Sequence, residues 1–407
     1  CAAERENTMI RYALVAVLLA SAAPLAAETH RVEPGEGAAT RLQEALILAK
    51  PGDVIEIGAG RIALTDGLSL DVDGVTVQGA GMDKSVLDFT GQQGAGEGLL
   101  VTSDNVTLRG FAIENPKGDG IKSKGADNII YDSLRVEWTG GPKATNGAYG
   151  IYPVESTGVL VVRSKVVGAS DAGIYVGQSR DITVRGNLVE YNVAGIEIEN
   201  SRNALVTENI ATHNTGGLLV FDLPGLPVMN GGDVILRGNV VKDNDTPNFA
   251  PPGNIVASVR RGTGVLVMAN DGVLIEDNAL EGNATAHIMV IAYTQPFTDT
   301  RYNPHARNVI VGNNAFGRGG DDPQLDGKDM LLAAFGGALP PVMWDGLSET
   351  PENALKIAPG VTGWTLNLAK VGQSLAEAQP GPLTLAPTEL WMFPVVGAPA
   401  ALEARIK

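Results

Sequence analysis

Four side chains capable of acid–base chemistry, Lys122, Tyr175, Glu197 and Glu199, fall at one phase of a phrase that repeats along this chain. Glu197 and Glu199 stand two apart in Gly-Ile-Glu-Ile-Glu. On a strand both would face the same side, about 6.6 Å apart. Two carboxylates at such a spacing can work as an acid/base pair in glycoside chemistry. A tyrosine or lysine beside them can serve as acid or base for β-elimination or epimerisation at a uronic acid. The plainer alternative is a solvated ladder of charge that serves solubility alone.

The repeat is what must position these groups. Aligned on a leading glycine it starts at Gly98, Gly120, Gly150, Gly173, Gly195, Gly217 and Gly264, with a degenerate copy at Ala286. Most intervals are about 22 residues, and a fixed period with loop-like insertions marks a solenoid. Longer intervals precede Gly150 and Gly264 and are rich in Gly, Pro and Asn. Within a period the apolar residues alternate in short runs, as at Ile174/Val176 and Ile182/Val184, which is strand-like. Asn, Asp, Gly and Ser separate the runs, where turns need left-handed backbone or side-chain-to-backbone bonds. Asn187, Asn209, Asn239, Asn278 and Asn314 share a phase and predict an internal asparagine ladder. Each period therefore reads as one coil of three strands, stacked about 4.8 Å from the next.

Strand alternation sorts the phrase into two faces. Ile121, Ile151, Ile174, Ile196, Leu218, Val265 and Ile288 point inward, leaving an outward stripe on the same sheet. Its first half is polar and aromatic: Lys122, Lys124, Tyr152, Tyr175, Glu197 and Glu199, with Trp138, Lys143, Asn146 and Tyr149 nearby. Tyr175, Glu197, Glu199 and Lys122 are the candidate catalytic residues. Lys124, Trp138, Lys143, Tyr149 and Tyr152 are the candidate substrate-binding residues. Lys122 would lie about 14 Å from Glu197, room for a sugar unit between them. The second half of the stripe is apolar: Leu219, Phe221, Leu266, Met268, Met289 and Ile291. Such a ladder calls for a cover. The insert 223–232, the C-terminal segment or a docked partner would provide it, and Leu219, Phe221, Leu266 and Met268 are the candidate partner-binding residues.

The first coils are preceded by TRLQEALILAK (40–50), whose Leu42, Ala45, Leu46 and Ala49 have helical spacing, with Pro51-Gly52 as a stop. That helix would cover the open end of the stack. The phrase QEALILAKPGDVIEIGAGRIALTDGLSLDVDGVTVQGAGMDKSVLDF resembles the N-terminal cap of secreted parallel β-helix proteins of the pectate-lyase-like superfamily, and the resemblance extends over about residues 40–316. It implies an all-β, right-handed, single-stranded parallel β-helix of about nine to eleven coils, with an N-terminal capping helix and an irregular C-terminal cap. The divisions expected are a signal peptide at 9–27, an N-terminal strand and capping helix at 28–52, the β-helix at 53–319 and a C-terminal cap or extension at 320–407.

The resemblance also implies a polysaccharide ligand and, among its enzymes, lyases, epimerases and hydrolases. Their familiar sites are missing here. The stripe lacks the Asp cluster of Ca²⁺-dependent pectate lyases, and His213 and His287 do not stand in Gly-His-Gly. The nearest phrase to the Asp-Pro-His-Asp of alginate C5-epimerases, Tyr302-Asn303-Pro304-His305-Ala306, lacks both acids. As a whole the chain looks most like uncharacterised exported bacterial parallel β-helix repeat proteins, often encoded beside a secreted c-type-haem protein. That implies a periplasmic protein partner as the alternative to a polysaccharide.

Met9, Arg11 and the apolar run from Tyr12 to Leu19 read as a secretory signal, so a periplasmic or secreted bacterial protein is expected, with no membrane insertion after cleavage. The single cysteine, Cys1, precedes that run and leaves the rest of the chain without disulfide or thiol chemistry. A formal net charge of −16 argues against nucleic acid, and a polyuronate would need a local basic patch or bridging Ca²⁺. His30, His213, His287 and His305 are not spaced as a metal-binding pair, so no metal or other cofactor is expected and Ca²⁺ has no support in the sequence.

Overall fold

A computed structural model describes residues 27–94, 96–374, 377–383 and 394–406. The signal segment expected at 9–27 therefore lies outside the described residues except for its last position. Three long sheets run the length of the molecule, and successive strands of the chain pass from one sheet to the next in turn. In chain order the first sheet, entered at Thr29–Val32, and the third, entered at Leu68–Leu70, have twelve strands each, and the second, entered at Gly60–Ala63, has ten. All pairings are parallel except the last, between Gly363–Thr365 and Gly381–Pro382. The inward residues Ile121, Ile151, Ile174, Ile196, Leu218, Val265 and Ile288 are buried in one continuous core.

The leading glycine has a steric cause. A Cβ on Gly98, Gly120, Gly150, Gly173, Gly195, Gly217 or Gly264 would meet a carbonyl oxygen of the following coil at 2.5–2.9 Å. No real Cβ tolerates that approach, so the period is written by close stacking of one column. Register places His287, rather than Ala286, opposite Gly264. The turn before the first-sheet strands has a different requirement. Asn128, Gly158, Asp181, Asn203, Asp233, Gly272 and Asn308 stack there, all with φ between 52° and 78°. Asn, Asp and Gly are the residues that enter the left-handed region most readily.

The asparagine ladder forms as expected. The Nδ2 of Asn187, Asn209, Asn239 and Asn278 each donates to the Oδ1 of the next rung at 2.9–3.0 Å. A second ladder, Asn192–Asn214–Asn244–Asn283, runs beside it at 2.9–3.1 Å. Both chains of amides satisfy buried backbone groups at the inner turns, where an unmet bond costs about 1–3 kcal/mol.

The capping helix spans Ala38–Leu48 and seats Leu42 and Leu46 on the open end of the core. Asp53 holds the cap together: it accepts from the backbone N–H of Glu28 and Lys50 and bonds His30 Nε2 at 2.9 Å. Those donors pull its carboxyl down to about 2.

The other end differs from a purely irregular cap. Val342–Trp344, Leu355–Ile357 and Gly363–Thr365 extend the parallel sheets beyond residue 319. The period is lost there because short helices, Lys328–Ala334 and Pro351–Ala354, and Pro/Gly turns separate the strands. Residues 394–406 then fold back over the outside of the first sheet. Leu402 is buried against Ile130, Leu160 and Val162, Arg185 pairs with Glu403 at 2.8 Å, and Arg405 donates to the carbonyls of Asn128 and Asn105.

Candidate functional site

The outward stripe exists in the expected register. Lys122 pairs with Tyr152, Tyr175 with Glu197, Glu197 with Leu219, Leu219 with Leu266, and Leu266 with Met289 on successive strands of the third sheet. The strands Ala172–Gly177 and Ala194–Glu199 carry the acid–tyrosine centre.

Tyr175 is buried, and its hydroxyl donates to Glu199 Oε1 at 2.7 Å. To reach it the ring leans over Gly177, the partner of Glu199 in the ladder; any Cβ at Gly177 would collide with the ring. Glu197 lies wholly buried two residues before Glu199 on the same strand, its Oε2 with no hydrogen-bond partner among the described residues. A third carboxyl, Asp171, joins them from the turn before the strand. Its other contacts are Tyr149 and Asn254, whose Nδ2 donates to Asp171 Oδ2 at 3.0 Å.

Burial dominates the electrostatics. It pushes Asp171 up to about 7, with the nearby Glu199 adding to the effect. Glu199 rises to about 7 by burial although the Tyr175 hydroxyl pulls the other way. Glu197, fully buried beside two other acids, is raised well above the carboxylate range. Like charges this close cannot all ionise, so the trio holds protons at neutral pH. Burial and the same acids raise the Tyr149 and Tyr175 phenols, so both are proton donors rather than tyrosinate bases.

Lys122 does not face Glu197 across an open gap. Three clustered tyrosines, Tyr149, Tyr152 and Tyr175, fill the space in tilted and edge-to-face contact, with ring centroids 4.5–5.0 Å apart. Lys122 lies 4.9 Å from the Tyr152 ring and pairs with Glu97 at 3.3 Å and Asp119 at 3.8 Å. An ammonium so paired is a poor general base, and the sugar-sized gap expected from coil spacing is closed by aromatic rings. Lys124 and Lys143 are exposed, Lys124 beside Glu155 at 3.7 Å. Trp138 is buried and its indole donates to Pro116 O at 2.7 Å, which places it under the insert rather than on a binding surface.

The apolar half of the stripe is covered by the chain itself. Leu219, Phe221, Leu266 and Met268 pack against Val256, Val259 and Tyr302. The insert between Lys242 and Thr263 forms most of this cover, pinned by Asn248 Nδ2 to the carbonyls of Val256 and Val259. Tyr302 arrives from a second loop, its hydroxyl bonded to Asp222 O at 2.6 Å. Leu223 and Met229, from the insert expected to cover the stripe, only flank it. Leu219, Phe221, Leu266 and Met268 are therefore largely buried, whereas Met289 and Ile291, expected to share the same cover, are only half-buried. Through Asn254 the same insert reaches Asp171, so cover and acid centre are one unit.

The sequence reading missed Asp171 and Asn254. Asp171 stands before the strand phase that defined the stripe. In register it is the lone acid in a column otherwise made of Gly118, Ala148, Val193, Thr215 and Gly262, and that contrast was its only signal. Among the described residues no group of three or more His, Cys, Asp or Glu side chains is arranged to hold a metal ion.

The profile of the family described as right handed beta helix region matches residues 71–223. The chain is a right-handed parallel β-helix. Solved structures agree on that fold. The A-module of a mannuronan C-5 epimerase from Azotobacter vinelandii superposes with a TM-score of 0.54 at 13% identity, covering 81% of this β-helix and 94% of that chain. DFA-IIIase from Arthrobacter chlorophenolicus A6, without its lid and in complex with GF2, gives 0.50 at 14% identity, covering 82% and 100%. No curated protein sequence matches the chain. At such identities the likeness of the β-helix to these structures is one of fold.

Proposed function

We propose that this β-helix binds a polysaccharide along the polar half of its third sheet and modifies it by proton transfer at the Asp171–Tyr175–Glu197–Glu199 centre. The observation that carries the reading is the hydrogen bond of a buried phenol, Tyr175, to Glu199 on the next coil, with the buried acids Glu197 and Asp171 beside them. Perturbed acids gathered beside a surface of aromatic and cationic groups are a common mark of an active site. Glu199 and Tyr175 are the proton donors, and Tyr149, Tyr152, Lys122 and Lys124 line the approach. Because the trio retains part of its protons at neutral pH, the local surface is less anionic than the overall charge suggests. Glu199 is already engaged by the Tyr175 hydroxyl, and such a phenol–carboxyl pair can pass a proton to or from a carbon acid. The arrangement therefore favours lyase- or epimerase-type proton handling over hydrolysis. The names of the fold neighbours, a mannuronan epimerase and DFA-IIIase in complex with GF2, support a carbohydrate ligand. The reading includes export, supported by the apolar run 12–19 behind Arg11.

The test is a panel of neutral and acidic polysaccharides, scored for binding and for change in the polymer by chromatography and ultraviolet absorbance. The wild-type chain should bind and alter at least one. Glu199→Gln and Tyr175→Phe should keep binding within a few-fold and lose about 10²–10⁴ in rate. Activity should fall as pH rises through about 7, as Glu199 gives up its proton. A panel without binding, or rates untouched by both substitutions, would sink the proposal.

A further inference from the structure

We propose a second binding site, for an amphipathic carboxylate, in the apolar groove beyond the covering insert. It lies further along the stripe than the acid centre and does not depend on the function proposed there. The groove has two adjoining chambers of about 270 and 200 Å³. Both are walled by Met289, Ile291, Leu325 and Arg260. Together they reach the size of small-molecule sites, about 300–1,000 Å³. The first chamber is bounded by Phe221, Leu266 and Met268 on the sheet and by Val259 of the insert. Methionine and branched side chains make such a wall adaptable to an acyl or alkyl chain.

Two polar groups give the groove a chemical preference. Arg260 stands on the wall common to both chambers, is exposed, and makes no ion pair among the described residues. Its neighbour Arg261, by contrast, is paired with Asp322 at 2.7 Å. A guanidinium presents a planar fork that suits a carboxylate. Trp344 lines the second chamber, and its buried indole N–H has no partner among the described residues. A buried donor without a partner favours an acceptor supplied by a ligand. Of the two acids on that chamber, Asp326 is exposed, and Asp345 is occupied by the backbone N–H of Ala292 and Leu347. The carboxylate head therefore belongs at Arg260, with the apolar tail in the first chamber.

Calorimetric titration of the full chain with octanoate and with octan-1-ol tests this. Octanoate should bind about tenfold more tightly than octanol, the ratio expected for one charge-assisted hydrogen-bonded contact. Arg260→Gln, at an exposed position, should erase the difference while leaving octanol binding unchanged. Met289→Trp should weaken both ligands, with circular dichroism confirming an intact fold. Absence of octanoate binding to the wild type overturns the inference. So does equal affinity for the two ligands, or octanoate binding that Arg260→Gln does not change.

Discussion

Gly177 lacks a side chain because Tyr175 occupies the space. Gly177→Ala should push the ring off Glu199 and break their hydrogen bond while leaving the strand paired; a tyrosine fluorescence or ultraviolet difference spectrum matching that of wild type would refute it. The acids make a separate prediction. Asp171 and Glu199 have folded values near 7, against about 4 for unfolded carboxyls. Between those limits the folded chain holds protons that the unfolded chain releases. Their stabilising contribution is thus complete below about pH 4 and lost as pH rises through about 7. Glu197→Gln removes the most deeply buried acid of the trio, so it should stabilise the chain by about 1–3 kcal/mol at pH 8 and by little at pH 4. Thermal melts at both pH values check this, and an equal gain at each would contradict it. Tyr175, Glu197 and Glu199 were legible in the sequence because strand alternation fixes their face. That the Tyr175 hydroxyl meets Glu199 rather than Glu197 was not, since spacing along a strand sets the backbone separation and rotamers set the rest.

At the level of coils and turns, the ladders do the joining. Asn209 accepts from the backbone N–H and Nδ2 of Asn187 and donates to Val184 O and Asn239 Oδ1. Asn209→Ala leaves several of these groups buried without partners. It should cost about 2–4 kcal/mol, read as a lower urea midpoint; an unchanged midpoint would show the ladder to be incidental. The strands, the capping helix and the first ladder were readable because each imposes a period of 2, 3.6 or about 22 residues. The covering insert was not. Phe249, Val256 and Val259 have no period, and what they cover is decided by the sheet beneath them.

Across the whole molecule, each coil touches chiefly its neighbours, so stability is passed along the rod. The segment 394–406 is a longer tie, joining the coil of Asn203 to that of Asn105 through Gly397 N and Arg405 Nη2. Leu402→Asp should place a charge among Ile130, Leu160 and Val162 and release the strap, raising the binding of an apolar dye while the far-ultraviolet spectrum keeps its β character; unchanged dye binding would count against it. Where this segment returns was not legible in residues 320–407, because nothing in a tail's sequence says which distant coil it will meet. The insert between Lys242 and Thr263 bears on how such a chain can change over generations. The strand that follows it, Thr263–Met268, pairs in register with Gly216–Phe221 of the coil before, as though nothing intervened. A coil can be gained or lost only as a whole, or every column above it slips out of register. A loop leaving the rod between coils is free of that arithmetic, and can lengthen, shorten or be exchanged one residue at a time. Novelty in this architecture is therefore cheapest at the loops, and here the loop that carries it reaches both the acids and the apolar groove.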